Sequence, residues 1–486
     1  MKGDPGQQDQ RITSDVSGMP QMTLAPLILW FRRDLRLADH PMLAAAVATG
    51  HPLIPLFILD PETEAQRAAP LWRLGLAVES FATTLALQGS RLILRRGDAM
   101  TELGQIIGET GAAGVIWSRL YDPMSRSRDE AVKSGLKALG LVAQSHPGHL
   151  LHEPWTVATG QGGPFKVFTP FWRAVRDLPV ASSLPPPAQL PAPDVWPASA
   201  KITDWHLGLA MQRGAAIAEP YQRVGEAAAL TRLTTFVHNK IETYAARRDF
   251  MAEDATSGLS ENLTYGEISP RQIWHAGMRA MLEGRQGAET FLKELVWREF
   301  AWSLTYHSPH ILTANWRADW DAFPWRADSE DAERWRRGMT GEPVVDAAMR
   351  EMYVTGTMHN RSRMIVASYL TKHLLTHWRV GLDWFAQCLT DWDPASNAMG
   401  WQWVAGSGPD AAPYFRIFNP ATQADRFDAG GLYRQRFLGP SPEADAYFNA
   451  VPRQWHLDAN APYPTPVIAL DQGRKRALDA LAQRKA

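Results

Sequence analysis

The sequence predicts an α/β region with a doubly wound, Rossmann-like parallel sheet, followed by an all-α region. Three features of the 486 residues lead to this fold class. From residue 26, short apolar runs alternate with amphipathic stretches, as expected for parallel strands joined by crossover helices. A proline-rich segment follows at 182–198, and beyond about residue 205 helical periodicity replaces the strand-like alternation. The hydrophobic content of 45% is sufficient for a sizeable core.

The predicted strands and helices follow one another in alternation. The strands are PLILWF (26–31), LIPLFIL (53–59), RLILR (91–95), GVIWS (114–118) and LVAQS (141–145). Helical stretches between them are PMLAAAVATG (41–50), LWRLGLAVESFATTLALQ (71–88), DAMTELGQIIGET (98–110) and SRDEAVKSGLKALG (127–140). Later helices include AETFLKELVWREFAWSL (288–304) and PVVDAAMREMYVTGT (343–357). No GxGxxG follows the first strand, so ordinary dinucleotide binding has no support there.

Composition divides the chain into four parts. Residues 1–25 have no apolar core of signal-peptide length and are predicted to be a disordered tail, with Met22 as an alternative start. The α/β region is assigned to 26–150, a connector to 151–204 and the helical region to 205–486. No later apolar run approaches the roughly 18 residues of a membrane span.

Charge and cysteine content exclude several classes of protein. Lys and Arg (50) nearly balance Asp and Glu (51), so net charge gives no argument for a basic nucleic-acid-binding protein. The single cysteine, Cys388, excludes an internal disulfide, a cysteine zinc site and a four-cysteine iron–sulfur cluster. We therefore expect a cytoplasmic protein without a metal. The 20 tryptophans indicate an aromatic core or a role in stacking or electron transfer.

A helical segment, ETFLKELVWREFAWSLTYH, carries the first group of candidate site residues. Glu294, Trp297 and Arg298 fall at i, i+3 and i+4, which places a carboxylate, an indole and a guanidinium on one helix face. Such a face can stack a base and bind its polar edges. On spacing alone, a buried tryptophan beside a surface ion pair is the more common explanation.

Three further segments are rich in polar and aromatic residues. MHNRSRM (358–364) and TDWDPASNAMGWQW (390–403) contain Asn360, Arg363, Asp391, Asp393 and Asn397. If Trp401 and Trp403 lie on extended chain, they point to opposite sides, one inward and one outward. TSGLS (256–260) offers hydroxyls and flexible backbone for phosphate oxygens. Taken singly, each segment is better explained by a purely structural role: a tryptophan-rich core with an Arg–Asp bridge, or a polar helix-entry turn.

Taken together, these segments resemble one known family. The sequence resembles the class I DNA photolyases of the photolyase and cryptochrome family. The resemblance rests on LILWFRRDLRLADHP (27–41), KVFTPFWR (166–173), TSGLS, ELVWREF (294–300), GEPVVDAAMREM (341–352), MHNRSRM, GWQW (400–403) and DAAPYFRIFNP (410–420). It covers nearly the whole chain beyond residue 26 and implies an N-terminal antenna domain and a helical domain that holds a folded FAD.

The resemblance also assigns the cofactor site residue by residue. It implies that the flavin's phosphates are held by Tyr244, Thr256, Ser257, Gly258, Leu259 and Ser260. The remaining cofactor contacts that it implies are Glu294, Arg298, Asn360, Arg363, Asp391 and Asp393, with Asn397 at the flavin N5 edge. An Arg363–Asp391 pair near the isoalloxazine would suit a reduced, anionic flavin.

The implied activity is light-driven repair of cyclobutane pyrimidine dimers in UV-damaged DNA. The lesion would be flipped out of the duplex between Trp297 and Trp403, with Glu294, Asn360, Met364 and Asn397 completing the catalytic set. Trp297, Arg298 and Trp403 are the implied contacts to DNA. Photoexcited reduced FAD would donate an electron that returns after ring splitting. Trp401, Trp378 and Trp325 match the family's relay for flavin photoreduction, and a monomer is expected.

Two sites depart from the family pattern, and one segment leaves the antenna chromophore undecided. Glu261 stands where the family usually has proline after the phosphate loop. Asn397 is followed by Ala-Met-Gly, which bears on the lifetime of the flavin radical. LYDPMSRSRDE (120–130) does not distinguish a folate antenna (methenyltetrahydrofolate) from a deazaflavin, so both stay open.

Other functions fit the sequence less well than DNA repair does. The main alternative is a cryptochrome-like blue-light photosensor; Asn397, Met364 and the absence of a long tail after the final helix speak against it. A six-four photoproduct repair enzyme should show a histidine-rich stretch in place of MHNRSRM, which has only His359. The iron–sulfur branch is excluded by the single cysteine. No fingerprint supports a light-independent flavin oxidoreductase.

Overall fold

A computed structural model describes residues 24–211, 213–410 and 415–485. Nearly all of the predicted N-terminal tail (1–25), including the alternative start Met22, lies outside the described residues. Within the described ranges the chain folds as an α/β region followed by a helical region, which confirms the predicted fold class.

The α/β region is built on one five-stranded parallel sheet. Its strands are β1 (Leu27–Phe31), β2 (Leu53–Leu59), β3 (Ile93–Arg96), β4 (Gly114–Ser118) and β5 (Val142–His146), in the order β3-β2-β1-β4-β5. Register in the centre is fixed by Leu27, which pairs with Leu53 on one side and Gly114 on the other. All residues of β1, β2 and β4 are buried, as expected for central strands covered on both faces.

Helices cover both faces of this sheet. They are α1 (Pro41–Ala48), α2 (Pro61–Glu64), α3 (Ala68–Leu87), α4 (Ala99–Thr110) and α5 (Pro123–Ala138). Asp60, Asp98 and Asp122 cap α2, α4 and α5 by accepting a backbone N–H from the third residue of each helix, at 2.8, 2.9 and 2.9 Å. Each cap lies directly after or close to a strand end, so it sets where the chain leaves the sheet.

The predicted connector contains a short helix, α6 (Phe168–Val175). Four apolar residues at i, i+3, i+4 and i+7, Phe168, Phe171, Trp172 and Val175, are buried in a cluster with the helical region. The proline-rich part, 182–198, forms no helix or strand, as predicted from proline's missing N–H.

Beyond residue 205 the described residues form helices, turns and loops. The helices are α7 (Ala215–Ala218), α8 (Glu226–Asn239), α9 (Tyr244–Arg247), α10 (Ser260–Thr264), α11 (Pro270–Leu282), α12 (Ala288–His307), α13 (Glu330–Arg336), α14 (Pro343–Thr355), α15 (Asn360–Ser368), α16 (Trp378–Cys388), α17 (Pro394–Ala405), α18 (Pro420–Phe427), α19 (Leu432–Leu438), α20 (Pro442–Ala450) and α21 (Leu470–Lys485). A π-helical turn, Tyr369–His373, follows α15.

The conditional prediction that Trp401 and Trp403 lie on extended chain is wrong, because both belong to helix α17. Asp393 caps this helix, and Pro394 starts it, a combination that strongly favours helix. Two residues along a helix correspond to about 200° of rotation. The two indoles therefore still diverge: Trp401 is buried, whereas Trp403 is half-buried.

A buried arginine joins the two regions. Arg73 of α3 forms ion pairs with Glu261 and Glu267, which flank the start and end of the α10 segment, and the distance to Glu267 Oε2 is 2.8 Å. All three side chains are almost completely excluded from solvent. Gly266, with a φ of 67°, brings this segment against the backbone of Arg33, where a Cβ would overlap.

We predict that Arg73→Met lowers the free energy of unfolding by about 3–5 kcal/mol, because it leaves Glu267 buried without its cation and Glu261 with only Arg232. Arg96→Met is the matched control: its pair with Glu64 is about half exposed, so the change should stay below about 1 kcal/mol. Urea denaturation midpoints measure both. Equal midpoints for the two variants would contradict the structural importance of Arg73.

Candidate functional site

A deep cavity of about 520 Å³ lies among helices α10, α12, α15 and α17. Its size is within the range of small-molecule and cofactor sites. The structure places most of the predicted site residues on its walls: Tyr244, Ser257, Leu259, Ser260, Glu294, Trp297, Arg298, Asn360, Arg363, Met364, Asp391, Asp393, Asn397, Trp401 and Trp403.

Two residues of the predicted phosphate loop, Thr256 and Gly258, do not line the cavity. Gly258 has a φ of 63°, a left-handed conformation that favours glycine. Its carbonyl accepts a hydrogen bond from Arg232 at 2.7 Å. The backbone turn at Gly258 is thus tied to α8, and Ser257 and Ser260 on either side remain on the cavity wall.

Helix α12 presents the predicted face of carboxylate, indole and guanidinium. Glu294 forms an ion pair with Arg248, a residue that the sequence analysis did not single out. Arg298 donates to the His149 carbonyl at 2.9 Å and so contacts the chain just before the connector. Burial raises the pKa of the Tyr244 hydroxyl, so this side chain is a neutral donor near Arg248.

Arg363 and Asp391 form the predicted ion pair. One terminal nitrogen of Arg363 lies 3.0 and 2.8 Å from the two carboxylate oxygens of Asp391. Ser260 donates to Asp391 at 2.8 Å, and Arg363 Nε donates to the Met358 carbonyl at 2.9 Å. The pair therefore joins the loop before α10 to helix α15 and places both charges at the cavity wall.

Asp393 and Asn397 hold the start of helix α17 in place. Asp393 accepts the Ser396 backbone N–H at 2.8 Å and the Trp302 indole N–H at 3.1 Å, one on each oxygen. The Asn397 side-chain amide donates to the Leu382 carbonyl at 3.1 Å. This orientation leaves the Asn397 side-chain oxygen as the acceptor that a ligand can use.

His359 organises helix α15 and is not an acid at neutral pH. Its Nδ1 accepts the Arg361 backbone N–H at 3.1 Å and so caps the helix that carries Asn360, Arg363 and Met364. Burial lowers the pKa of His359 to about 4. The ring is therefore neutral near pH 7, which suits an acceptor in a cap.

Two indoles, those of Trp297 and Trp403, contribute aromatic faces to the cavity wall. Trp297 stacks on Phe168 of α6, with centroids 3.7 Å apart and planes 6° from parallel. Trp403 donates its indole N–H to the Asp410 carbonyl at 3.1 Å, and Arg416 lies 5.9 Å from its ring. Phe168 belongs to the segment KVFTPFWR (166–173), but it was not predicted to be a site residue.

The three tryptophans predicted to form the electron relay differ in burial. Trp401 and Trp378 are buried and Trp325 is half-buried. His377 lies between the last two, with ring centroids 5.4 Å from each. The Trp378 indole donates to Asn315 at 2.8 Å. Of the three predicted relay residues, Trp401 and Trp378 are both buried and Trp325 is the most exposed.

The cavity walls have unmet polar groups that a cofactor can satisfy. The indole nitrogens of Trp401 and Trp392 are buried without a hydrogen-bond partner, and both residues line the cavity. Buried donors are normally paired, so a ligand acceptor is expected here. Together with Ser257, Ser260 and the Arg363–Asp391 pair, these groups fit a large polar and aromatic cofactor such as FAD.

A second, smaller cavity of about 220 Å³ lies at the carboxyl ends of β4 and β5. Its walls include Trp117, Arg119, Tyr121, Arg126, Lys133, Trp155 and Tyr306. Trp155 and Tyr306 have centroids 5.6 Å apart, and Arg126 lies 4.1 Å from the Tyr306 ring. Part of the undecided antenna segment, 120–130, therefore borders a cavity closed by α12.

Across 24–211, 213–410 and 415–485, no three His, Cys, Asp or Glu side chains come together in a way that could hold a metal ion. Among the same residues, no helix combines the length and apolar character needed to cross a membrane.

The fold and cavity define a cofactor-binding protein in which an α/β region precedes a helical cofactor domain. Residues 27–193 match the family described as DNA photolyase, and residues 291–483 match the FAD binding domain of DNA photolyase. The chain is 44% identical over 470 residues to deoxyribodipyrimidine photo-lyase of Agrobacterium fabrum, covering 94% of this chain and 98% of the relative. This chain belongs to the DNA photolyase and cryptochrome family.

Two further relatives illustrate the breadth of the family. This chain is similar to the crystal structure of a bacterial class III photolyase from Agrobacterium tumefaciens, with a TM-score of 0.87 and 42% sequence identity. The match covers 97% of this chain and 100% of that one. Cryptochrome-1 of Arabidopsis thaliana is 33% identical, over 94% of this chain and 70% of the relative. The class I assignment is not confirmed by these relatives.

We predict that Gly381→Ala disturbs the packing of Trp401. A Cβ on Gly381 would overlap the Trp401 ring, so the indole or helix α16 must move, at a cost of about 1–3 kcal/mol. Gly108→Ala, in helix α4 with open space around it, is the control and should be neutral or stabilising by about 0.5–1 kcal/mol. Thermal unfolding measures both changes. A Gly381→Ala protein as stable as wild type would show that Trp401 can move freely.

Proposed function

We propose that this protein uses light to repair cyclobutane pyrimidine dimers in UV-damaged DNA. The observation that carries the proposal is the position of the two aromatic walls, Trp297 and Trp403, on the same cavity as the predicted cofactor residues. A lesion held between these two tryptophans would lie next to the cofactor site in the same cavity. This arrangement suits electron transfer to a flipped-out pyrimidine dimer.

The lesion pocket uses stacking and a fixed carboxylate. Enzymes that act on bases take them out of the helix, and aromatic walls replace the lost stacking. Glu294 uses Oε1 for Arg248, which leaves Oε2 to accept a hydrogen bond from a pyrimidine. Met364 contributes an adaptable apolar wall. Asn360 is exposed at the same cavity and can contact the lesion or the cofactor.

Exposed cations near the walls suit contacts to the DNA backbone. Lys166 precedes Phe168 by two residues, and Arg416 lies beside the Trp403 ring. Such residues bind phosphates without reading sequence. Arg298 was predicted to contact DNA; its bond to His149 supports a role in holding α12 against the connector. Trp297 and Trp403 remain the proposed contacts to the lesion itself.

The FAD contacts proposed here follow the predicted set. Tyr244, Ser257, Leu259 and Ser260 would hold the phosphates and their surroundings, with Thr256 and Gly258 shaping the loop. The other proposed contacts are Glu294, Arg298, Asn360, Arg363, Asp391, Asp393 and Asn397. Bound FAD in its reduced form would supply the light-excited electron. The free oxygen of Asn397 favours a donor such as the N5–H of a reduced flavin.

Trp401, Trp378 and Trp325 are proposed to carry electrons inward from the surface. Trp401 is at the cavity wall, Trp378 is fully buried, and Trp325 is the most exposed of the three. The hydrogen bond from Trp378 to Asn315 fixes the middle ring. Buried indoles in fixed positions need little reorganisation, which favours rapid transfer between them.

We further propose that an antenna chromophore binds the second cavity. Its aromatic pair, Trp155 and Tyr306, can stack a planar ring system. Arg126 and Lys133 can pair with acidic groups, whereas Arg119 already pairs with Glu153, and Asp129 and Glu130 also line the cavity. Acidic side chains are a feature of folates, so this lining favours methenyltetrahydrofolate over a deazaflavin. Extraction of the chromophore after expression with added folate would test the choice.

The photolyase class, the cryptochrome alternative and the type of photoproduct repaired are further parts of this proposal. Identity of 42% over 97% of the chain to a photolyase titled class III favours class III over the predicted class I. The cryptochrome alternative draws support from the Arabidopsis relative. The neutral, capping His359 favours cyclobutane dimers over six-four photoproducts as substrate, because it does not supply an acid at neutral pH. A monomer stays our prediction.

The decisive experiment is loss of cyclobutane dimers from a UV-irradiated oligonucleotide, with purified protein containing reduced FAD, in light and in darkness. Repair in light alone is the expected result. Six-four photoproducts in the same oligonucleotide serve as the specificity control and should persist. FAD-loaded, reduced protein that repairs nothing would overturn the repair proposal and favour a photosensor.

We predict that Trp297→Ala and Trp403→Ala each weaken binding to a lesion by about 1–3 kcal/mol, the scale of base stacking on an aromatic ring. FAD content should not change. Binding is measured in darkness with lesion-containing and undamaged DNA of the same sequence. Trp297→Phe and Trp403→Phe are matched controls that keep an aromatic face. Unchanged lesion affinity in both alanine variants would contradict the proposed pocket.

We predict that Trp401→Phe blocks photoreduction of oxidised flavin but spares repair by chemically pre-reduced protein. The reason is that phenylalanine packs similarly yet is far harder to oxidise. Trp384→Phe is the control, because Trp384 lines neither cavity. Flavin absorbance under blue light with an external reductant measures the rate. A normal rate in Trp401→Phe would place the relay elsewhere.

A further inference from the structure

One face of the Trp297 indole is already occupied within the protein. Phe168 lies parallel to it at 3.7 Å and is itself buried at the start of α6. Phe300 contacts both rings edge-on, at 5.8 Å from Trp297 and 6.0 Å from Phe168. This three-ring packing fixes the plane of the indole. Only the other face of Trp297 is left for a ligand.

Asp410 lies between the stacked rings of Phe168 and Trp297 and the indole of Trp403. Its backbone carbonyl accepts the Trp403 indole N–H at 3.1 Å. Partial burial raises the pKa of the Asp410 carboxyl, and a hydrogen bond from the Phe168 backbone N–H opposes this rise. Asp410 therefore contacts the backbone of Phe168, whose ring backs Trp297, and also the indole of Trp403.

The backbone of Asp410 is in an uncommon conformation. Its φ is 52°, in the left-handed region, which costs free energy for most side chains. Aspartate and asparagine tolerate this region better than other non-glycine residues. Such strain is retained where surrounding contacts determine the conformation. Here the contacts are those to Trp403 and Phe168.

We propose that Phe168 and Asp410 are positioning residues that set the angle and spacing between Trp297 and Trp403. This inference rests on the proposed function, because it assigns these indoles to the lesion pocket. Neither residue touches the lesion. They keep the two walls apart in the absence of DNA, so a flipped-out dinucleotide enters a gap that is already open.

The consequence is selectivity for damaged DNA. Binding to undamaged duplex depends on phosphate contacts, which do not involve the gap between the indoles. Binding to a lesion depends on both walls at once, and preorganised walls reduce the cost of ordering side chains. Loss of Phe168 or Asp410 should therefore reduce affinity for the lesion and leave affinity for undamaged DNA nearly unchanged.

The first test compares Asp410→Ala with Asp410→Asn. Asparagine tolerates the left-handed backbone and keeps a side-chain oxygen for the Phe168 N–H, whereas alanine does neither. In darkness, Asp410→Ala should lower the ratio of lesion to undamaged affinity by roughly fivefold or more. Asp410→Asn should preserve that ratio. Parallel loss on both DNAs, or no loss in Asp410→Ala, would overturn the proposal.

A double-mutant cycle tests whether Phe168 acts through Trp297. Phe168→Leu should reduce the affinity ratio in the wild-type background and have no effect in the Trp297→Ala background. Additive effects would show that Phe168 has a separate role and would overturn the inference. Phe168→Tyr, which keeps the stacked ring, should restore the ratio. FAD content and unfolding midpoint, measured for every variant, report any general damage to the fold.

The wild-type protein separates this inference from the proposed function. A wild type that neither prefers lesion DNA nor repairs it in light overturns both. A wild type that prefers and repairs lesions, with an Asp410→Ala variant of equal preference, overturns only the positioning role of Asp410 and Phe168.

Discussion

The buried pairing of Arg73 with Glu261 and Glu267 is the interaction on which the arrangement of the cavity depends. It holds the segment around α10 against helix α3 of the α/β region. Ser260, at the start of that segment, contacts Asp391, and Asp391 pairs with Arg363. A chain of contacts thus connects the α/β region to the cavity wall. Glu261 itself is part of this group, because it pairs with both Arg73 and Arg232.

Helix α17 distributes its aromatic residues between two environments. Its capping residue Asp393 fixes the first turn, and the helical rotation then turns Trp401 inward and Trp403 towards the cavity mouth. Buried Trp401 is, together with Trp378 and Trp325, one of the residues proposed for electron transfer. Half-buried Trp403 keeps one face available, which suits stacking. A single capped helix therefore serves both proposed tasks through its geometry alone.

Much of the fold and of the candidate site could be predicted from the sequence. The strands at 53–59 and 114–118 agree with the structure at both ends, because their apolar runs are bounded by polar or glycine residues. The spacing of Glu294, Trp297 and Arg298 correctly predicted one helix face. By contrast, Arg248, Phe168 and Asp410 were missed. These residues act through contacts with residues far away in the chain or, for Asp410, also through an unusual backbone angle. Neither kind of feature leaves a periodic pattern in the sequence.

The sequence by itself determined the fold class, the order of the elements and most of the residues at the cavity. Local periodicity, caps and short motifs are properties of neighbouring residues, so they can be read without knowing the fold. Only the tertiary structure decided which carboxylate pairs with which cation, which face of Trp297 is free, and where Trp401 and Trp403 point. These depend on the packing of segments that are distant in the chain, and packing is determined by the whole fold at once.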